Sequence, residues 1–144
     1  MATREAVSEA LFAKLQSTGA FPTATRRNAS PETIALPGQP ALVLAKHHER
    51  YEKKGIAVPP VRTITFVAIL YIDVGAVAAA IPDAILNPLQ DAIDAALVAD
   101  NGQTGACTLG GLVQSAMIVG EPLMSPGDKT GRGTAIIPIE VILP

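Results

Sequence analysis

The sequence lacks several features that would assign a function at once. It contains one cysteine, Cys107, no tryptophan, and aromatic residues make up only 3% of its 144 residues. A single cysteine excludes an intrachain disulfide framework and a zinc site built from cysteines. A reducing compartment is therefore the environment we expect.

Charge is scarce as well as balanced. Charged residues make up 17% of the chain, and the 11 basic and 13 acidic residues give a net charge of -2. A protein that binds nucleic acid by neutralising phosphates carries an excess of lysine and arginine. The composition excludes that class and leaves only local contact with DNA.

Apolar residues are abundant, at 49% of the sequence. A chain of this length and composition predicts one folded domain over residues 1–144. So few charges leave apolar surface uncovered, and such surface is typical of contacts between subunits.

One stretch has the length of a membrane span. Ile64–Ile81 is mostly apolar but is interrupted by Asp73 and Gly75. An aspartate near the centre of a span costs about 2.5–3.5 kcal/mol on insertion, and the β-branched first half is typical of a buried strand. The start, Met1–Glu9, has no apolar core of a signal peptide. We expect neither a membrane span nor export.

Apolar spacing predicts an amphipathic helix over Thr3–Thr18, ended by Gly19. A short strand over Thr23–Arg27, a loop over Asn28–Pro40 and a strand over Ala41–Lys46 follow.

The polar segment Lys46–Pro60 predicts a long hairpin tip. The strand Val61–Asp73 is apolar on both faces, so we expect it in the centre of a sheet with both faces covered. A second helix is expected over Asn87–Asp100, with Asn87 as its N-cap and Pro88 at its first position.

The last third predicts two strands, Leu109–Val119 and Thr134–Leu143. Pro138 cannot donate a ladder hydrogen bond and indicates an edge or a bulge. The order α-β-β-β-α-β-β indicates an α+β fold, with a mixed, largely antiparallel sheet of about five strands and two main helices packed on it.

Residues with catalytic or ligating chemistry are few. His47 and His48 are adjacent, and adjacent side chains of a strand point to opposite faces, so we expect solvated hairpin residues and no metal site. Cys107 has no base near it in sequence, and we expect a small loop or strand-edge residue there.

The glycines do not make a phosphate loop. Neither Gly110-Gly111 nor Gly127–Gly133 has the spaced glycines that end in Gly-Lys-Ser/Thr before a helix. Asp91 and Asp94 are expected on the exposed side of the second helix. From the residues alone we predict no catalytic residue and no cofactor.

Basic residues cluster in two places, but Glu49 and Glu52 interrupt the larger cluster. This balance is more typical of a mixed-charge protein interface than of a nucleic-acid groove. The residues predicted to contact another subunit or a tube are Arg26, Arg27, Lys46, His47, His48, Arg50, Tyr51, Lys53 and Arg132.

Short motifs along nearly the whole chain carry a resemblance to a known family. They are Arg4–Leu15, Phe21–Arg27, Gln39–Val43, Asn87–Leu97, Thr108–Val113 and Val119–Glu121. With these motifs the sequence resembles the tail terminators of long-tailed phages, prophages and gene transfer agents, also called minor tail or tail-completion proteins. The segments 47–55 and 123–132 match no motif of that family.

The resemblance implies a mixed sheet with helices on one side and a homo-oligomer, a hexameric ring, on the last ring of the tail tube. It implies a virion protein of the tail or neck, assembled in the host cytoplasm, that ends tube polymerisation and presents a surface for joining the head. The implied partners are the tail tube protein, a neck or head-completion protein, and DNA that passes through the lumen without specific binding. No family residue is catalytic.

Two alternatives stay open. A neck or head-completion connector also forms a ring on the same axis, and the sequence does not separate the two. A small-molecule-binding or enzyme accessory domain would need a concave site with convergent polar groups.

Overall fold

The protein is described by a computed structural model over residues 2–27, 40–73, 82–125 and 132–143. The elements are α1 (Arg4–Gln16), β1 (Thr23–Thr25), β2 (Ala41–Glu52), β3 (Val61–Asp73), α2 (Pro82–Ala96), β4 (Ser115–Ile118), β5 (Leu123–Ser125) and β6 (Arg132–Ile142). The predicted loop 28–39 and the stretch 74–81 lie outside the described residues.

One mixed, largely antiparallel sheet organises the chain. Its order is β1-β2-β3-β6-β4, and β5 also pairs with β6. Only β1 and β2 are parallel; the other pairs are antiparallel. The predicted α+β fold and element order are confirmed, with the short β5 as a sixth strand between β4 and β6.

Helix α1 lies within the predicted range Thr3–Thr18 and is two residues shorter at its end. The Thr3 hydroxyl caps the helix by accepting a hydrogen bond from the Ala6 amide at 3.1 Å. Val7, Leu11 and Leu15 are buried at the i, i+4, i+8 spacing of one helix face. Gly19 follows with a positive φ of 69°, the conformation that commonly ends a helix.

Helix α2 begins five residues earlier than predicted and ends at Ala96 rather than Asp100. The predicted first position, Pro88, lies inside it. Its missing N–H leaves the carbonyl of Ala84 without a helical partner, and because Ala84 is exposed, water can hydrogen-bond to that carbonyl. The reason for the early start is Leu86, which is buried on the same face as Leu89 and Ile93.

The strand β2 continues to Glu52, so the predicted hairpin tip is wrong for residues 46–52. Its register with β3 runs from Ala41↔Tyr71 to Glu52↔Val61 with a bulge between Lys46 and His48. Pairing with β3 compensates for the polar sequence, and only residues 53–60 form the tip.

The predicted strand over Leu109–Val119 is shorter in the structure, where β4 holds only Ser115–Ile118. Pro138 lies in β6, which is an interior strand without a register shift. The Pro138 carbonyl accepts a hydrogen bond from the Val119 amide at 3.2 Å. The N–H and C=O of one residue in an antiparallel strand point to the same side. The position of the missing N–H therefore faces the gap between the end of β4 and the start of β5. The expected edge is therefore local to this gap.

Both helices contribute to a single core on one face of the sheet. In β3 the alternate residues Ile64, Phe66, Ala68 and Leu70 are buried on this face. The residues that face the other way, at every second position from Thr65 to Asp73, are half-buried. The expectation of a sheet with both faces covered is thus met on one face only by the described residues, since the second face of β3 stays half-buried. None of their helices has the length and apolar character needed to cross a bilayer.

Candidate assembly surfaces

The bulge at His47 decides which side chains meet at the distal end of β2. Without an extra residue, Lys46 and Glu49 would face opposite sides of the strand. With it, both face the helices, and Lys46 Nζ lies 2.8 Å from Glu49 Oε1. Arg4 of α1 reaches the same carboxylate, with Nε 2.6 Å from Oε1, and also donates to the Tyr51 hydroxyl.

This cluster joins the first turn of α1 to β2 by charge. The hydrogen bond from Arg4, followed by that from Lys46, lowers the pKa of the Glu49 carboxyl from 4.5 to about 2. Glu49 is therefore ionised above about pH 3 and holds two cations. Lys46 and Tyr51, predicted as interface residues, thus also take part in contacts within the chain.

The same bulge brings the two histidines together. Their Nδ1 atoms lie 2.6 Å apart on the exposed surface, so one ring donates a hydrogen bond and the other accepts it. The expectation that His47 and His48 point apart is wrong, because it assumed a regular strand. Within the described ranges no group of three or more potential ligands surrounds a metal position.

The remaining predicted interface residues are spread over the surface. Arg26 makes a two-pronged ion pair with Glu5 of α1, at 2.6 and 3.1 Å, and this pair lowers the pKa of Glu5. Arg132 Nε lies 3.7 Å from the Asp73 carboxylate across β3 and β6. Arg27, Arg50 and Lys53 are exposed as well. The structure does not bring this set into one site.

The far end of the β2–β3 hairpin projects beyond the sheet, and we call residues 51–62 the arm. The last ladder residue of β6, Ile142, pairs with Thr63, so β6 does not flank the arm as a strand. At its tip, Ile56 is 98% exposed and Val58 is 54% exposed. An apolar tip on a projecting hairpin is typical of a contact element.

A second surface feature is the loop after α2, which we call the Asp100 loop (residues 100–111). The Asp100 carboxylate accepts from the Thr108 amide at 2.6 Å, the Thr108 hydroxyl at 2.7 Å and the Gly110 amide at 3.0 Å. These bonds, that of Gly110 first, lower the Asp100 pKa from 3.8 to about 2.

The conformation of this loop accounts for the two glycines of the Thr-Leu-Gly-Gly motif. Gly110 and Gly111 have positive φ values of 76° and 92°, which glycine adopts without strain. Leu109, which precedes them, has a positive φ of 51°. The amides of Thr108 and Gly110 both donate to the Asp100 carboxylate, which agrees with the prediction that Gly110-Gly111 is no phosphate loop. Asp100 was predicted as the last residue of the second helix; its spacing from Thr-x-Gly was the available signal for its role in this loop.

Replacing Asp100 by asparagine is expected to lower the melting temperature by a few degrees at neutral pH, because an amide cannot accept from all three donors. The pKa is lowered on folding, so this stabilisation is present above about pH 4 and is lost towards about pH 2. The difference from wild type should therefore shrink over that interval in a series of thermal melts. Asp94→Asn, at an exposed site, is the control and should match wild type; a pH-independent difference for Asp100→Asn would contradict the assignment.

Two surface grooves beside α1 bear on a small-molecule role. One, of about 310 Å³, is lined by α1 residues with Leu109 and Gly110; the other, of about 400 Å³, lies between α1 and α2. Lys14 is the one charged side chain among the residues that line them. A ligand site normally has several convergent polar groups, so these grooves do not favour that role.

The fold of this chain is similar to that of a known protein. No protein-family model matches the chain, and no curated protein matches it. A solved structure does match. It is a chain of the virion of a native gene transfer agent particle, with a TM-score of 0.54 and 10% identity, covering 94% of this chain and 92% of that chain. At this identity the likeness shows a shared fold, and it extends over nearly all of both chains.

Proposed function

We propose that the protein is a structural virion component of the tail terminator type, which forms a ring on the end of a tail tube and joins it to the head. The observation that carries the proposal is the fold shared with a gene transfer agent virion chain over 94% of this chain. The motif resemblance to tail terminators, which extends over the same length, supplies the specific role.

The surfaces support such a role. A ring subunit needs contact elements that reach a neighbour, and the arm ends in the exposed Ile56 and Val58. A lumen that passes DNA has to leave phosphates unbound, and a net charge of -2 with no basic excess suits that requirement. In this proposal the partners are further copies of the chain, the tube protein and a neck protein.

We also propose that the protein is not an enzyme. A nucleophilic cysteine has to be accessible and close to a base, whereas Cys107 is 3% exposed and packs in the core. Its carbonyl accepts from Ala116 of β4, so its backbone position has a structural role.

Replacing Cys107 by serine is expected to leave the yield of infectious or gene-transferring particles within a few-fold of wild type, because serine is nearly isosteric. The measurement is the particle titre from cells that carry only the variant gene. A melt of the purified variant is the control for folding. Loss of titre with an unchanged melting temperature would show that the thiol performs chemistry.

The experiment that tests the proposed role is cryo-electron microscopy of the intact particle. We expect a closed ring of this chain on the tail axis, six copies in number, between the last tube ring and the neck. A single off-axis copy, or no copy at that position, would contradict the proposal. A free monomer in solution would not, because a subunit can assemble on its partner.

A further inference from the structure

The outer side of α2 carries charge of one sign. The helix contains no lysine or arginine, and Asn87, Asp91, Asp94 and Val98 are all exposed. The spacing of i, i+4 and i+7 places Asn87, Asp91 and Asp94 in one line along the helix, and Val98 follows two residues after its last residue, Ala96. We call these four residues the α2 stripe. Asp91 and Asp94 make no ion pair with any residue in the described part of the chain.

The arm carries charge of the opposite sign around its apolar tip. The arm contains three basic residues and one acidic residue, which are Lys53, Lys54, Arg62 and Glu52. Lys54 pairs with Glu52 at 2.6 Å, and Lys53 has no acidic partner among the described residues. Ile56 and Val58 add apolar area next to these cations, as Val98 does next to the two aspartates.

The arm and the stripe lie too far apart to meet within one molecule. Gln90 of α2 donates to Met124 Sδ at 2.9 Å, and Met124 pairs with Ala135, which pairs with Leu70 of β3. The arm leaves the sheet at Arg62, which is about 26 Å from Leu70 along an extended strand.

The helix α1 gives a second measure of this separation. Arg4, in its first turn, contacts Tyr51 at the base of the arm. Lys14 lines the groove shared with Ala92 and Ala95 of α2. Ten residues of helix separate these two points by about 15 Å, and the arm extends away from α2 beyond them.

We infer that the arm of one subunit docks on the α2 stripe of a second copy of this chain, with Lys53 and Lys54 facing Asp91 and Asp94 and with Ile56 against Val98. The two surfaces differ, so the contact is head-to-tail. Repetition of a head-to-tail contact closes a ring when the rotation permits. The inference deepens the proposed function and rests on it for the biological meaning of the ring.

The test is site-directed cross-linking of the full-length chain in assembled particles, from cells that carry only the variant genes, with the products detected by an antibody to this chain. In a Cys107→Ser background, Val58→Cys on the arm and Ala95→Cys beside the stripe leave every charge of both surfaces in place. A short bismaleimide should give a ladder of multimers on a denaturing gel. A mixture of the two single-cysteine variants should give only dimers.

The matched control pairs Val58→Cys with Met117→Cys, an exposed and uncharged position in β4, which lies at the opposite edge of the sheet from β1. We expect several-fold less cross-linked product from this pair. A yield from the Val58–Ala95 pair no higher than the control would overturn the inference, as would the absence of dimers in the mixture. Thermal melts establish that each variant is folded.

Charge reversal is the second measurement. Lys53→Glu with Lys54→Glu, or Asp91→Lys with Asp94→Lys, should each reduce the ladder several-fold, and all four together should restore it. Unchanged ladders, or no restoration, would overturn the docking mode. If cross-linking succeeds while tails made without the protein have normal length, the chain self-associates but is no terminator. If cross-linking fails while those tails have abnormal length, the proposed function stands and other surfaces close the ring.

Discussion

Replacing Phe66 by alanine is expected to lower the melting temperature by roughly 10 °C or more. Phe66 is 2% exposed and lies on the helix-covered face of β3, opposite Lys46 of β2 and Ile139 of β6. Truncation of a buried phenylalanine costs about 3–5 kcal/mol through lost transfer free energy and the cavity that remains. That is a large part of the roughly 5–15 kcal/mol that stabilises a typical domain.

The matched control is Phe12→Ala in α1. Phe12 is only partly buried and packs against the edge of the same core. The same change of chemistry should therefore cost less than half as much, as measured by thermal or urea unfolding. Equal losses at the two positions would contradict the placement of the core between β3 and the helices.

Deleting the gene in a producing strain is expected to abolish infectious or gene-transferring particles. A tube whose end is not capped presents no surface for joining a head, so filled heads and tubes should accumulate separately. The measurement is the titre together with electron microscopy of the lysate, and expression of the wild-type gene from a second site is the control. Normal titre from the deletion strain would contradict any essential role in joining.

Elements whose local pattern and packing agree were predictable from the sequence. The α1 face of Val7, Leu11 and Leu15 and the Gly19 end both indicate the same helix, and the structure confirms it. The apolar strand Val61–Asp73 was likewise predictable with its exact bounds.

Elements that depend on distant contacts were not predictable. The capping pattern at Asn87 and Pro88 indicates a helix start, but burial of Leu86 in the core extends α2 to Pro82. The polar residues after Lys46 resemble a loop, yet pairing with β3 keeps them in a strand. In both cases tertiary packing outweighs a local signal.

The candidate surfaces were predictable only in part. The sequence indicated the polar hairpin and the exposed Asp91 and Asp94. It did not reveal the bulge at His47, because a bulge is a property of two paired strands. The contacts of Glu49 with Arg4 and Lys46 depend on this bulge, so they could not be predicted from the sequence.

The most direct test of the proposed role is the length of tails made without the protein. A terminator caps a polymer, so its absence should leave tubes of broadly distributed and excessive length. A neck protein acts only after the tube is finished, so its absence should leave tails of uniform, normal length beside full heads. Electron microscopy of the deletion strain should show a wide length distribution that the wild-type gene narrows again; tails of uniform, normal length would contradict the terminator assignment.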